Sequence, residues 1–184
     1  MENILDWARK WARQRDENSM AKEYLGINVY EALQERFDYL FQEFENIFVS
    51  FSGGKDSGLL LNLLLDFRQA NYPHRCIGVF HQDFEAQYSV TTDYVTRTFE
   101  RIRNEVDPYW VCLPMRPGRR SAAMRCTGIM MIRRRNSVRE MPQKEYVINL
   151  ENNRMTTYRY RMHQEDLAKQ FGRWYRDAHD GGKT

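Results

Sequence analysis

Between the apolar run Ile47-Phe48-Val49-Ser50-Phe51 and the Leu-rich run Leu59-Leu60-Leu61-Asn62-Leu63-Leu64-Leu65 stands the hexapeptide Ser52-Gly53-Gly54-Lys55-Asp56-Ser57. A β-branched and aromatic run, a Gly-Gly turn and a Leu-rich helix in succession form the layout of a phosphate-binding strand–loop–helix unit. The glycines let the backbone approach an anion, and the helix that follows aims its unpaired N–H groups at it. Lys55 adds positive charge, and Ser52 and Ser57 add hydroxyl donors. The plainer reading is a tight turn in which Asp56 or Ser57 serves as the N-cap. A Walker A loop is excluded, because four residues must separate its first Gly from the Gly-Lys pair, and here the glycines touch Lys55. The C-terminal Gly181-Gly182-Lys183-Thr184 fails the same test, with Asp177 in place of the first Gly.

The rest of the chain alternates in the same manner. Residues 2–18 read as an amphipathic helix carrying Trp7 and Trp11. Asn28 with Glu31 reads as an N-cap and its capping-box partner. The helix they open carries Leu33, Phe37, Leu40, Phe41 and Phe44 on one face. Strand 47–51, the loop and helix 57–70 follow. A strand is expected at Ile77–His81, a helix across Val90–Val106 and a third strand at Tyr109–Leu113. Tyr146–Leu150 is a short strand candidate, and His163–Tyr175 a helix with Leu167, Phe171 and Trp174 inward. Alternating strands and helices predict an α/β fold: a parallel twisted sheet with helices on both faces, preceded by N-terminal helices. Ligands of such sheets bind at the carboxyl ends of strands. The loop at 52–57, Asp83 and Pro114-Met115 all fall on that edge.

A chain of 184 residues is one domain by size, large enough for a real core. No stretch approaches the roughly 18 apolar residues of a membrane span, and Met1-Glu2-Asn3 does not open a signal peptide. Three scattered cysteines, Cys76, Cys112 and Cys126, suit a reducing cytoplasm and argue against a disulfide framework. His74, His81, His163 and His179 are isolated, and no metal motif is visible, so no metal site is expected. Net charge is only +3, but Pro108–Val138 contains no Asp or Glu while Arg116, Arg119, Arg120, Arg125, Arg133, Arg134 and Arg135 accumulate. That run is a candidate contact for nucleic acid or a phosphate-rich ligand, a solvated loop, or the product of a frame shift within the gene. The basic-aromatic run Tyr158-Arg159-Tyr160-Arg161 is open to two readings: phosphate or base contact, or a surface segment.

Ser-Gly-Gly-Lys-Asp-Ser resembles the signature of the PP-loop (ATP pyrophosphatase) superfamily, which includes the phosphoadenosine phosphosulfate (PAPS) reductases. Leu25–Ala32, Asp107–Pro114 and Tyr158–His163 resemble one branch of it, the PAPS-reductase-like co-activators of prophage gene expression. The resemblance implies an adenine nucleotide α-hydrolase-like fold and binding of ATP or a PAPS-like nucleotide by Ser52, Gly53, Gly54, Lys55, Asp56 and Ser57, with Mg²⁺ bridging phosphates. It also implies cleavage between the α- and β-phosphates. Asp83 and Glu85 lie where the superfamily often contacts the nucleoside; a carboxylate there either accepts from ribose hydroxyls or simply faces water. True PAPS reduction is disfavoured, because the reductases carry a C-terminal catalytic Cys and nothing after Cys126 is a cysteine. No catalytic residue is assigned. The alternatives are a non-catalytic co-activator acting with a partner regulatory protein, with direct DNA contact left to the Arg-rich run, or a truncated inactive copy. The expected organisation is N-terminal helices over 1–46, the nucleotide-binding core over 47–115, an irregular Arg-rich segment over 116–138 and the end of the domain over 139–184.

Overall fold

The computed structural model describes residues 26–85, 87–116, 139–179, 182 and 184. The helix expected over 2–18 and the Arg-rich residues from Arg119 to Arg135 lie outside them. Two compact units are distinguished, Met1–Leu33 and Gln34–Thr184. In the first, the capping box forms as read: Asn28 Oδ1 accepts from the Glu31 amide at 2.9 Å, and Glu31 Oε2 accepts from the Asn28 amide at 3.0 Å. These bonds open helix α1 (Val29–Glu43).

The second unit is an α/β layer structure. Its elements are β1 (Phe48–Ser50), α2 (Lys55–Asn71), β2 (Gly78–Gln82), α3 (Ser89–Ile102), β3 (Asp107–Val111), β4 (Val147–Ile148) and α4 (Gln164–Ala178). The four strands lie in the order β1-β2-β3-β4, all parallel. Alternation along the strands sends successive side chains to opposite faces. On one face Phe51, His81 and Trp110 surround Phe99 of α3. On the other, Phe48, Phe80 and Tyr109 meet Phe171 of α4, with Phe80 and Phe171 stacked at 4.2 Å. Helices therefore cover both faces, as the strand–helix alternation predicts. The residues expected inward on α4, Leu167, Phe171 and Trp174, are buried, joined by Tyr175. Each such side chain contributes about 1.5–3 kcal/mol by leaving water.

Helix α3 ends at Ile102, short of the expected Val106, and the chain leaves it through a turn in which the Arg103 amide donates to the Phe99 carbonyl and the Glu105 amide to the Ile102 carbonyl. Pro108 sits in β3 at no cost to the ladder. Trp110 and Cys112 donate to Tyr146 and Ile148 on the β4 side, while Pro108, two residues earlier on that side, precedes β4's pairing. The C-terminal end of α1 is closed by Arg75, whose guanidinium donates to the carbonyls of Phe41, Phe44 and Glu45 at 3.0, 2.6 and 2.8 Å.

Candidate functional site

Strand β1 ends at Ser50 and α2 begins at Lys55, two residues earlier than its sequence start at 57. Lys55, Asp56 and Ser57 are thus the first helical turn and not part of the loop. The N-cap is Gly54, with φ −81° and ψ 164°, and no side chain caps the helix. The turn reading that made Asp56 or Ser57 the cap is thereby replaced. Ser57 instead knits the loop together. Its Oγ donates to the Gly54 carbonyl at 3.0 Å and accepts from the Ser52 amide at 3.3 Å, and it lies 3.0 Å from Ser52 Oγ. Ser52 Oγ in turn accepts from the Gly54 amide at 3.3 Å.

Gly53 has φ +80°, a left-handed backbone that glycine alone adopts freely. A Cβ there would meet Val95 Cγ2 at 2.6 Å and Thr91 Cγ2 at 2.9 Å, so α3 presses directly on the loop. Lys55 is exposed and forms no ion pair among the described residues. The amides of Lys55, Asp56 and Ser57 have no helical acceptor, since the residues four before them lie outside the helix. An uncapped helix start, the exposed Lys55 at its first position and the Ser52 and Ser57 hydroxyls thus follow the carboxyl end of β1. That group of atoms is suited to hold an anion.

Asp83 follows β2 on the same edge but is not joined to the loop by any hydrogen bond, and it does not face water. It is fully buried. Its carboxylate accepts from Trp110 Nε1 at 2.6 Å, the Glu85 amide at 2.7 Å and the Cys112 thiol at 3.7 Å, and it pairs with Arg139. The tight Asp83–Glu85 turn holds Glu85 at φ +51°, uncommon backbone for a residue with a side chain. Arg139 also donates to the Glu85 carbonyl at 3.2 Å. Sequence reading missed Arg139. Its neighbourhood offers no motif, and the contact spans 56 residues.

His81, read as isolated, is a core residue. Nδ1 donates to the Phe51 carbonyl at 2.7 Å, while Nε2 is buried without a partner. Burial holds its pKa below the ordinary value near 6.5. The ring is neutral in the fold, whereas the unfolded chain takes up a proton as pH falls below about 6.5. Stability is therefore complete above that pH and declines beneath it, by at most about 1.4 kcal/mol per pH unit for one proton. Urea melts between pH 5 and 8 should show this slope, and His81→Gln should remove it. Because Phe51 precedes Ser52, the same bond anchors the root of the loop.

Burial raises the pKa of the Cys112 thiol, and partial desolvation together with the neighbouring Asp107 carboxylate raises that of Cys76, although Cys76 is exposed. Both are thereby kept protonated and poorly nucleophilic. Cys126, Arg133, Arg134 and Arg135 lie outside the described residues. Among the described residues no three His, Cys, Asp or Glu side chains gather as a metal site, and no helix is long and apolar enough to cross a membrane.

Fold and loop together define an α/β protein with a glycine loop at the carboxyl edge of a parallel sheet. Over 98 residues the chain is 39% identical to YbdN of Escherichia coli strain K12, an uncharacterized protein. The match covers 53% of this chain and 24% of YbdN, so the matched part is about a quarter of that relative. No family model and no solved structure matches the chain.

Proposed function

We propose that the chain is a PP-loop-type nucleotide-binding protein, taking ATP or an adenylyl sulfate nucleotide such as PAPS through residues 52–57. The observation that carries this reading is the loop itself. Left-handed Gly53 is clamped against α3, Ser57 ties the turn from inside, and Lys55 stands unpaired at an uncapped helix start. Phosphate oxygens would accept from the first-turn amides, the Ser52 hydroxyl and Lys55, while Ser57, whose hydroxyl donates to the Gly54 carbonyl, holds the loop in the shape that favours charge developing between the α- and β-phosphates. Mg²⁺ would arrive on the phosphates, as is usual for this ion. Asp83 would act at one remove, holding Arg139 and the Glu85 turn in shape.

The protonated thiols of Cys76 and Cys112 favour nucleotide binding without sulfur reduction. A co-activator working with a partner protein is the reading of that kind which the sequence resemblance suggests.

Thermal melts with Mg·ATP, with PAPS and with neither test the proposal. A nucleotide at about a hundred times its dissociation constant should add roughly 2.7 kcal/mol of stability. In Ser57→Ala, which unties the loop, the increment should shrink to near zero while the ligand-free melt stays cooperative. A cooperative melt of the unaltered protein that neither nucleotide moves would reject nucleotide binding.

A further inference from the structure

We propose that the strap of residues 152–164 is a contact for single-stranded nucleic acid, with Arg154 and Arg159 meeting phosphates and Tyr160 stacking on an unpaired base. The strap lies between β4 and α4 and contains no Asp or Glu, against three arginines and His163. Arg154, Arg159 and Tyr160 are exposed, Tyr160 at 59%. None of the three arginines forms an ion pair among the described residues. The acidic residues that follow, Glu165 and Asp166 in the first turn of α4, are exposed and pair with none of them.

The other polar side chains of the strap are spent on its shape. Asn152 Nδ2 donates to the Val147 carbonyl at 2.7 Å, and Asn153 Oδ1 accepts from the Met155 amide at 2.9 Å. The Thr157 hydroxyl donates to the Gln170 carbonyl of α4 at 2.8 Å, and the Tyr158 hydroxyl donates to the Pro114 carbonyl at 2.7 Å. Met155 is buried, and a backbone bridge between Arg116 and His163 fixes the far end. At the tip the Met162 amide donates to the Arg159 carbonyl at 3.0 Å, and Arg161 has φ +60°. Residues 159–162 thus make a turn of the kind that takes left-handed backbone at its third position, with Tyr160 at the outer corner. Tyr160 has no hydrogen bond and no ring partner among the described residues, in contrast to Tyr158. The framework is complete without Arg154, Arg159 or Tyr160, which leaves those three side chains to solvent or to a partner.

The chemistry of that set selects the partner. Unpaired guanidinium groups attract a phosphate backbone, and an exposed phenol ring beside them offers a stacking face. A base already stacked inside a duplex has no face to give, and a duplex groove is read by a helix or a two-stranded ribbon, which a turn tip does not supply. An acidic peptide would use the arginines and leave the exposed ring without a role. Unpaired bases on a phosphate backbone use both. The contact is independent of the nucleotide reading of the 52–57 loop.

Fluorescence polarisation of the full chain with single-stranded oligothymidylate and oligouridylate of about 12 nucleotides, at about 50 mM salt, tests the strap. Saturable binding that weakens as salt rises is expected. Arg154→Ala/Arg159→Ala should weaken it about tenfold or more and lower the log–log salt slope by about 1.4, two phosphates at roughly 0.7 each. Tyr160→Ala should weaken it about fivefold or more, whereas Tyr160→Phe, which keeps the ring, should bind as the unaltered protein does. A duplex of the same length should bind more weakly and be indifferent to Tyr160→Ala. Tighter oligouridylate assigns RNA as the source, tighter oligothymidylate DNA, and equal affinities a contact indifferent to the sugar. No saturable binding at this salt, or equal losses of single strand and duplex on Tyr160→Ala, would overturn the proposal. Affinity that survives Arg154→Ala/Arg159→Ala would also overturn it. Its loss in Arg133→Ala/Arg134→Ala/Arg135→Ala or in Ser57→Ala would then move the contact to the Arg-rich run or to the loop.

Discussion

Gly53→Ala is expected to remove about 2–5 kcal/mol of stability and, in whatever protein remains folded, to abolish the nucleotide-dependent rise in melting temperature. Two costs add. Left-handed backbone with a Cβ costs about 1–2 kcal/mol, and Gly53 sits at φ +80°. The new methyl would also stand 2.6 Å from Val95 Cγ2 and 2.9 Å from Thr91 Cγ2, and overpacking of this kind costs about 1–3 kcal/mol. Relief by rotation is closed to Val95, which is fully buried and stiff about its first torsion, so the loop backbone must move. That movement displaces the Ser52 hydroxyl and the first-turn amides from the positions an anion needs.

The neighbouring glycine is the internal control. Gly54 has φ −81°, ordinary for any residue, and an added Cβ would meet only Ser52 Oγ, at 3.4 Å. Gly54→Ala should change stability by no more than about 1 kcal/mol, since the lost cap preference and the gained unfolded-state restriction oppose each other. Urea melts of the two variants read the contrast directly. Equal losses at both positions would mean that the clamp against α3 does not hold the loop.

What the sequence disclosed follows from the range of the interactions. The loop was legible because strand, turn and helix are contiguous, and each obeys a local rule of backbone or periodicity. The inward face of α4 was legible for the same reason: Leu167, Phe171 and Trp174 recur at helical spacing, and all are buried. The start of α2 was misread by two residues because Asp56 and Ser57 are good caps in isolation. The actual cap is Gly54, and Ser57 is drawn back onto the Gly54 carbonyl. The environment of Asp83 was not legible at all. Its partners Trp110, Cys112 and Arg139 are distant in sequence: the pairing of β2 beside β3 brings Trp110 and Cys112 to the carboxylate, and Arg139 reaches it from a segment beyond β3. His81 was similarly opaque, since an isolated histidine at a strand end gives no sign of which face it takes.

That same carboxylate gives the other large effect. Asp83→Ala is expected to cost about 3–5 kcal/mol, the range for breaking one side of a buried ion pair. The alanine leaves the Trp110 indole N–H, the Glu85 amide and the Arg139 guanidinium without their acceptor, in a place where water does not replace it. Arg139, at 20% side-chain exposure, has only a narrow route to solvent. Removing Arg139 as well takes away the uncompensated charge, so Asp83→Ala/Arg139→Ala should lose less than the two single variants summed, by about 0.5–3 kcal/mol. Urea unfolding of the three variants closes this cycle. A loss below about 1 kcal/mol in Asp83→Ala would show that water reaches the carboxylate, and Asp83 would then be free to meet a ribose hydroxyl directly. The expected larger loss fixes it as the structural anchor of the edge on which the loop works.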